Sequence, residues 1–207
     1  METLKRSSLI IFAFMALSLT VFSQDYGSIQ RAFEKSYSYE YSGEYSKAID
    51  ELKDVYDESS YEINLRLGWL TYMAGFFTES SAYYQNAIEL KPLSIEAKFG
   101  FTYPASALGN WEQVKNSYKE ILKVDSQNST ANYKLGSIYY GNEDYTTALK
   151  YFEKIVNLYP FDYDGLLMYA WTNLKLGKFR EAKVLFNKVL MNQPNDKSAI
   201  EGLGLIK

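Results

Sequence analysis

The 207-residue chain contains no cysteine and no histidine. Without cysteine, neither a disulfide nor a thiolate site can form. Without histidine, the commonest general base and the commonest metal ligand are gone. No Gly-rich phosphate loop, serine elbow or metal-ligand spacing takes their place. Carboxylates are plentiful, so a paired-carboxylate hydrolase is the one catalytic alternative left. Each acidic residue that can be placed, however, falls on a solvated helix face or a cap. The composition therefore reads as a non-enzyme, with no catalytic residue, no metal and no cofactor. An excess of positive charge is also lacking: 22 Lys and Arg face 25 Asp and Glu, for a net charge of −3. Nucleic-acid binding needs concentrated Lys and Arg, so that class of partner is disfavoured.

Long hydrophobic runs are scarce. The one run, Leu9 to Phe22, is interrupted only by Ser18 and Thr20 and is short for a membrane span. Lys5 and Arg6 precede it, and the small residues Val21 and Ser23 stand at −3 and −1 of a cut before Gln24. This is the pattern of a signal peptide over residues 1–23, cleaved between Ser23 and Gln24. An uncleaved N-terminal anchor is the other reading. Cleavage removes Glu2, Lys5 and Arg6, which leaves the mature chain slightly more acidic and without stable membrane insertion. The expected location is periplasmic or secreted. Residues 24–28 read as a short linker.

What the chain does have is aromatic residues, 17% of the total with 20 Tyr, and a period. Pro92, Pro160 and Pro194 are separated by one or two multiples of 34 residues. Gly75, Gly109, Glu143 and Gly177 form a second column with the same spacing, preceded by Gly43. Two residues further on lies an aromatic column: Tyr45, Phe77, Trp111, Tyr145 and Phe179. Five repeats follow, at about 29–60, 61–94, 95–128, 129–162 and 163–196, and a recurrence of this kind signals a stacked-repeat architecture.

Within the repeats, position 8 is small (Ser36, Gly68, Thr102, Gly136, Ala170). Position 24 is bulky (Leu52, Tyr84, Tyr118, Phe152, Phe186) and position 27 apolar (Val55, Ala87, Ile121, Ile155, Val189). These columns resemble the tetratricopeptide-repeat family, here of an exported bacterial type, over residues 29–196. The resemblance implies an all-α solenoid of five helix-turn-helix repeats. Helix A would span about positions 1–14 and helix B about 15–28. Small residues at 8 and 20 would let the backbones approach, with the aromatic at 17 and the bulky residue at 24 filling the space left. Glycine at 15 ends helix A by adopting positive φ without steric cost. Residues 197–207 carry Ile200, Leu203 and Gly204 at positions 4, 7 and 8 of a sixth repeat, the signature of a C-terminal capping half-repeat.

Two departures from the family pattern stand out. Position 4 lacks the family's large residue (Ala32, Asn64, Lys98, Asn132, Leu166), which suggests looser packing of helix A there. Pro104 lies inside helix A of the third repeat, where its ring meets the Gly100 carbonyl and a hydrogen bond is lost. A kink or break close to Pro104 is expected.

In the family, the A helices line a concave face through positions 2, 5, 9, 12 and 13. In this chain those positions hold Phe33, Tyr37, Trp69, Tyr72, Phe99, Tyr103, Tyr133, Tyr140 and Trp171. Tyrosine and tryptophan offer large rigid contact area with a polar tip and dominate binding hot spots. The groove is read as a site for a protein or peptide segment, with these nine residues as anchors. Three alternatives compete: packing of some rings between A helices, stacking of Tyr and Trp on a glycan, and a homodimer through facing grooves. The lining holds one lysine, Lys175, and no asparagine, so the family's capture of a C-terminal carboxylate by Lys and Asn is not supported. Lys115, Lys119 and Lys123 form a stripe on helix B of the third repeat, read either as a solvated face or as a dock for an acidic partner. Asp162 and Asp164 at the start of the fifth helix A read as capping carboxylates.

Overall fold

The computed structural model describes residues 26–206. The signal segment and its cleavage point lie outside the described residues. Eleven α-helices and no strands are present among the described residues, and no described helix is long and apolar enough to cross a membrane. The described chain divides into two compact units, the first ending at Tyr56 and the second beginning at Asp57.

The first unit is one helical hairpin, α1 (Tyr26–Tyr41) and α2 (Tyr45–Lys53). Ala32 and Ser36 of α1 pack against Ala48, Ile49 and Leu52 of α2, all buried. Tyr26, Gly27 and Ser28, read from sequence as linker, form the first turn of α1.

The second unit contains four hairpins and a terminal helix. Its A helices are α3 (Tyr61–Met73), α5 (Ile95–Ala107), α7 (Ser129–Gly141) and α9 (Tyr163–Lys175). Its B helices are α4 (Phe77–Leu90), α6 (Trp111–Val124), α8 (Tyr145–Leu158) and α10 (Phe179–Asn192), and α11 (Lys197–Gly204) closes the series. Each helix packs on the next, and among the A helices α3 also touches α5, α7 touches α9, and α9 touches α11. Stacking is obligatory, because a single amphipathic hairpin cannot bury its apolar face alone.

The turns explain the regularity. Each A helix ends at position 13, and position 15 adopts a left-handed conformation, with φ of 84° at Gly75, 73° at Gly109 and 72° at Gly177. The N–H of position 16 bonds back to the carbonyl of position 11, as Phe76 does to Thr71 at 2.8 Å and Lys178 to Asn173 at 2.9 Å. That bond closes a Schellman turn and satisfies a carbonyl the helix would otherwise leave open. Glu143 takes the same geometry at φ 62° without glycine's freedom. Helix B consequently starts at the aromatic of position 17 and runs to position 30, two residues later than the sequence pattern suggests.

A second column secures the start of each A helix. Ser60, Ser94, Asn128, Asp162 and Asp196 recur every 34 residues. Each side-chain oxygen accepts the N–H three residues on, at 3.3 Å from Ile63, 3.0 Å from Ala97 and from Ala131, and 2.7 Å from Gly165 and from Ala199. Such caps contribute about 1 kcal/mol each. Asp162 thus caps a helix, as read from sequence, and it does so as one of five.

Position 4 is a correction. It is not loose but buried in every full repeat. Asn64 donates to the carbonyls of Glu58 (2.9 Å) and Ser60 (2.8 Å), and Asn132 to those of Ser126 (3.3 Å) and Asn128 (2.8 Å). Lys98 reaches the Pro92 carbonyl in the same manner. A polar side chain here ties down the loop between repeats, which a large apolar residue could not do. Burial pushes the Lys98 ammonium below its ordinary pKa.

Pro104 does not break its helix, since α5 runs on through it. One backbone bond is forgone at Gly100, while buried Ala97, Gly100, Thr102 and Ala105 pack the helix along its length. At the end of the series α11 packs on α10 and α9 and buries Ala199 and Gly202, while Ile200 is 51% exposed.

Candidate functional site

Within the core of the second unit, bulky residues at position 24 fill gaps left by small ones. Tyr84 of α4 is wedged between Gly68 of α3 and Gly100 of α5: a Cβ built on these glycines would lie 2.9 Å and 2.1 Å from its ring. Phe152 presses on Gly136 and Phe186 on Gly202 in the same way. Burial pushes the Tyr84 hydroxyl far above the ordinary tyrosine range, since the phenolate would be desolvated. This close approach of α3 to α5 brings the rings of their outer faces together.

Those rings are Trp69 and Tyr72 of α3 and Tyr103 of α5. Their centroids are 6.0 Å apart for Trp69 and Tyr72, 6.1 Å for Trp69 and Tyr103, and 5.4 Å for Tyr72 and Tyr103. Phe77 joins Tyr72 at 5.7 Å. Beside this cluster opens a cleft of about 480 Å³, lined by Tyr72, Phe99, Thr102, Tyr103, Ser106, Ala107, Tyr118, Thr130 and Lys134. It exists because positions 12 and 13 of this repeat are Ser106 and Ala107, too small to fill the space. Four aromatic rings, several hydroxyls and one ammonium line it, with no carboxylate among the lining residues. Such a mixture suits an apolar group flanked by hydrogen-bonding atoms.

The nine aromatic residues singled out from sequence divide into three sets. Tyr103 (48% exposed), Trp69, Tyr72 and Phe99 gather around the cleft in the second unit. Tyr133, Tyr140 and Trp171 are half-buried and committed to neighbours. Tyr133 packs edge-on against Phe152 at 5.9 Å and Tyr140 against Tyr145 at 5.2 Å. Trp171 packs edge-on against Phe186 at 5.3 Å, and its indole N–H donates to Ser198 at 2.8 Å. Phe33 and Tyr37 form a pair in the first unit, 6.4 Å apart, with Tyr37 55% exposed. None of the nine is sealed in the core. Burial pushes the Tyr133 and Tyr140 hydroxyls above their usual range, in keeping with their packed setting.

At position 17 the sequence reading holds in part. Two of these aromatics pack against their own helix A and two do not. Phe77 and Tyr145 lie on the position-12 tyrosines, and Trp111 and Phe179 are exposed. The available signal was the pairing of 12 with 17: Tyr72 with Phe77 and Tyr140 with Tyr145, against Ser106 with Trp111 and Leu174 with Phe179. On the other side of the third hairpin the lysine stripe is largely neutralised. Lys115 bonds Glu112 at 2.6 Å and Lys123 bonds Glu120.

Comparison with known proteins places this geometry. Family models described as tetratricopeptide repeat match residues 105–163 and 139–203. The TPR repeat-containing protein YpiA of Bacillus subtilis (strain 168) is 29% identical over 157 residues, covering 75% of this chain and 37% of that protein. The chain thus matches well under half the length of that relative. Among solved structures, a tetratricopeptide repeat protein from Parabacteroides merdae ATCC 43184 is similar with a TM-score of 0.73. Its identity is 23%, over 85% of this chain and 71% of that one. MamA is similar with a TM-score of 0.70 at 18% identity, over 80% and 92%. YrrB, titled a TPR protein with an unusual peptide-binding site, has a TM-score of 0.64 at 20% identity, over 78% and 81%. With its Schellman turns at position 15, its small residues at position 8 and its bulky ones at position 24, the chain belongs to the tetratricopeptide-repeat family.

Proposed function

We propose that the chain is a non-catalytic interaction scaffold of the cell envelope, and that the cleft between α3, α5 and α7 holds an extended or helical segment of a partner protein. The observation that carries this is the convergence of Trp69, Tyr72 and Tyr103 from two successive A helices beside a cleft of about 480 Å³. Rings already held against each other lose little freedom on binding, so more of their contact free energy reaches the complex. Tyr103 and Phe99 are the central anchors, Trp69 and Tyr72 the flanking wall. YrrB, a protein of the same fold described as having an unusual peptide-binding site, supports the reading. The envelope location rests on the signal-like pattern of residues 1–23.

The test is capture of envelope proteins by the chain lacking residues 1–23, compared with a Trp69→Ala, Tyr103→Ala double variant of matched helicity. Loss of two anchors should weaken capture by well over tenfold, since each hot-spot truncation costs about 2 kcal/mol or more. Equal capture by both proteins rejects the cleft as the binding site.

A further inference from the structure

The aromatic at position 17 has a partner in the second and fourth repeats. Phe77 lies on Tyr72 at 5.7 Å and Tyr145 on Tyr140 at 5.2 Å. In the third repeat position 12 is Ser106, which has no ring to offer. Trp111, the one indole of the column, is left 58% exposed. Its neighbours are polar. Asn110 occupies the N-cap of α6, yet its side chain makes no capping bond. Gln113 is exposed one turn on, and Glu112 is held by Lys115 at 2.6 Å. Gly109, with φ 73°, adds no side chain to crowd them. Together Gly109, Asn110, Trp111, Glu112 and Gln113 line a hollow of about 370 Å³.

We propose that this hollow binds a pyranose unit of an oligosaccharide. The indole face is flat, apolar and electron-rich, and it attracts the polarised C–H groups on one face of a sugar ring. A carboxamide donates and accepts at once, which matches neighbouring sugar hydroxyls, and a carboxylate accepts from two of them. Asn110, Gln113 and Glu112 supply that set around a single ring. A protein hot spot would surround the indole with a dry, packed wall, whereas this rim is polar and open. The other two indoles lack a comparable setting: Trp69 lies against Tyr72 and Tyr103, and Trp171 is bonded to Ser198. None of the five residues lines the cleft at Tyr103, so the site is independent of the segment-binding reading.

The test uses the chain lacking residues 1–23 with Trp69→Phe and Trp171→Phe, so that Trp111 alone reports. It is titrated with β-1,4-linked glucose and N-acetylglucosamine tetrasaccharides, an α-linked glucose tetrasaccharide, and lipid vesicles with and without anionic headgroups. A saturable change in Trp111 emission with at least one saccharide is expected. Asn110→Ala with Gln113→Ala should weaken it about tenfold, the loss of roughly one good contact. Trp111→Ala in the otherwise unaltered chain should abolish the calorimetric heat, while Trp69→Ala with Tyr103→Ala leaves it unchanged. The proposal is overturned if no saccharide alters the emission, or if the Asn110 and Gln113 substitutions leave the affinity unaltered. It is equally overturned if only vesicles produce the change, or if Trp111→Ala abolishes protein capture with no saccharide bound.

Discussion

The contact between Tyr84 and Gly100 sets the spacing of α3, α4 and α5, and it can be tested by adding one methyl group. In Gly100→Ala the new Cβ would lie 2.1 Å from Cε1 and 2.6 Å from Cζ of Tyr84. Ordinary contact begins near 3.4 Å, so the ring or helix must move by roughly 1.3 Å. The ring cannot easily retreat, because it is 3% exposed and its other face is against Gly68. Overpacking of a rigid ring costs up to about 3 kcal/mol. Alanine in mid-helix recovers about 1 kcal/mol over glycine. The net expectation is a loss of about 2 kcal/mol, a fall of about 4–8 °C in Tm for a chain of this size. Gly141→Ala is the control, since its Cβ meets nothing within 4 Å and the residue ends α7. It should be neutral or stabilising by up to about 1 kcal/mol. Both are read by thermal and urea unfolding, followed by helical circular dichroism. Adding Tyr84→Leu should convert Gly100→Ala from destabilising to near neutral, a coupling of about 2 kcal/mol. If Gly100→Ala unfolds at or above the temperature of the parent, the ring does not occupy the space assigned to it and the packing argument fails.

Four further outcomes are expected, three from the geometry and one from the sequence. Glu143→Gly should stabilise the chain by about 1 kcal/mol in urea unfolding, because φ of 62° is strained for glutamate and free for glycine. Asn132→Ala should cost about 1–3 kcal/mol by the same assay, since the Ser126 and Asn128 carbonyls lose their donor in a buried setting. Bonds from Thr147, side chain first and then backbone, hold the Asp144 carboxyl below its ordinary value of 3.8. Its contribution is therefore complete above that value and disappears as pH falls through the lower folded one, so Asp144→Asn should flatten the acid limb of a Tm-against-pH profile. N-terminal sequencing of the chain recovered from outside the cytoplasm should begin at Gln24, and a product beginning at Met1 would remove the export reading.

Much of the fold was legible because its determinants are local or lie one repeat apart. Glycine at 15 and the alternation of small and bulky residues at 8 and 24 act within a hairpin or between nearest neighbours, so a spacing of 34 residues displays them directly. The capping column was equally visible in Ser60, Ser94, Asn128, Asp162 and Asp196. Position 4 misled because the lack of a large residue was taken as weakness, when Asn64 and Asn132 bond carbonyls four and six residues back. Pro104 leaves α5 continuous because packing along the helix holds it despite the one lost bond.

The sequence alone determined that the described chain is a set of paired helices with aromatic residues on its A helices. Only the tertiary structure decided which of those rings is free. Tyr133, Tyr140 and Trp171 are taken up by Phe152, Tyr145 and Phe186, while Tyr103 stays 48% exposed at the cleft that Ser106 and Ala107 also line. A ring's exposure depends on what the facing helix places against it, and that is a property of packed neighbours, not of the residue's own position in the repeat.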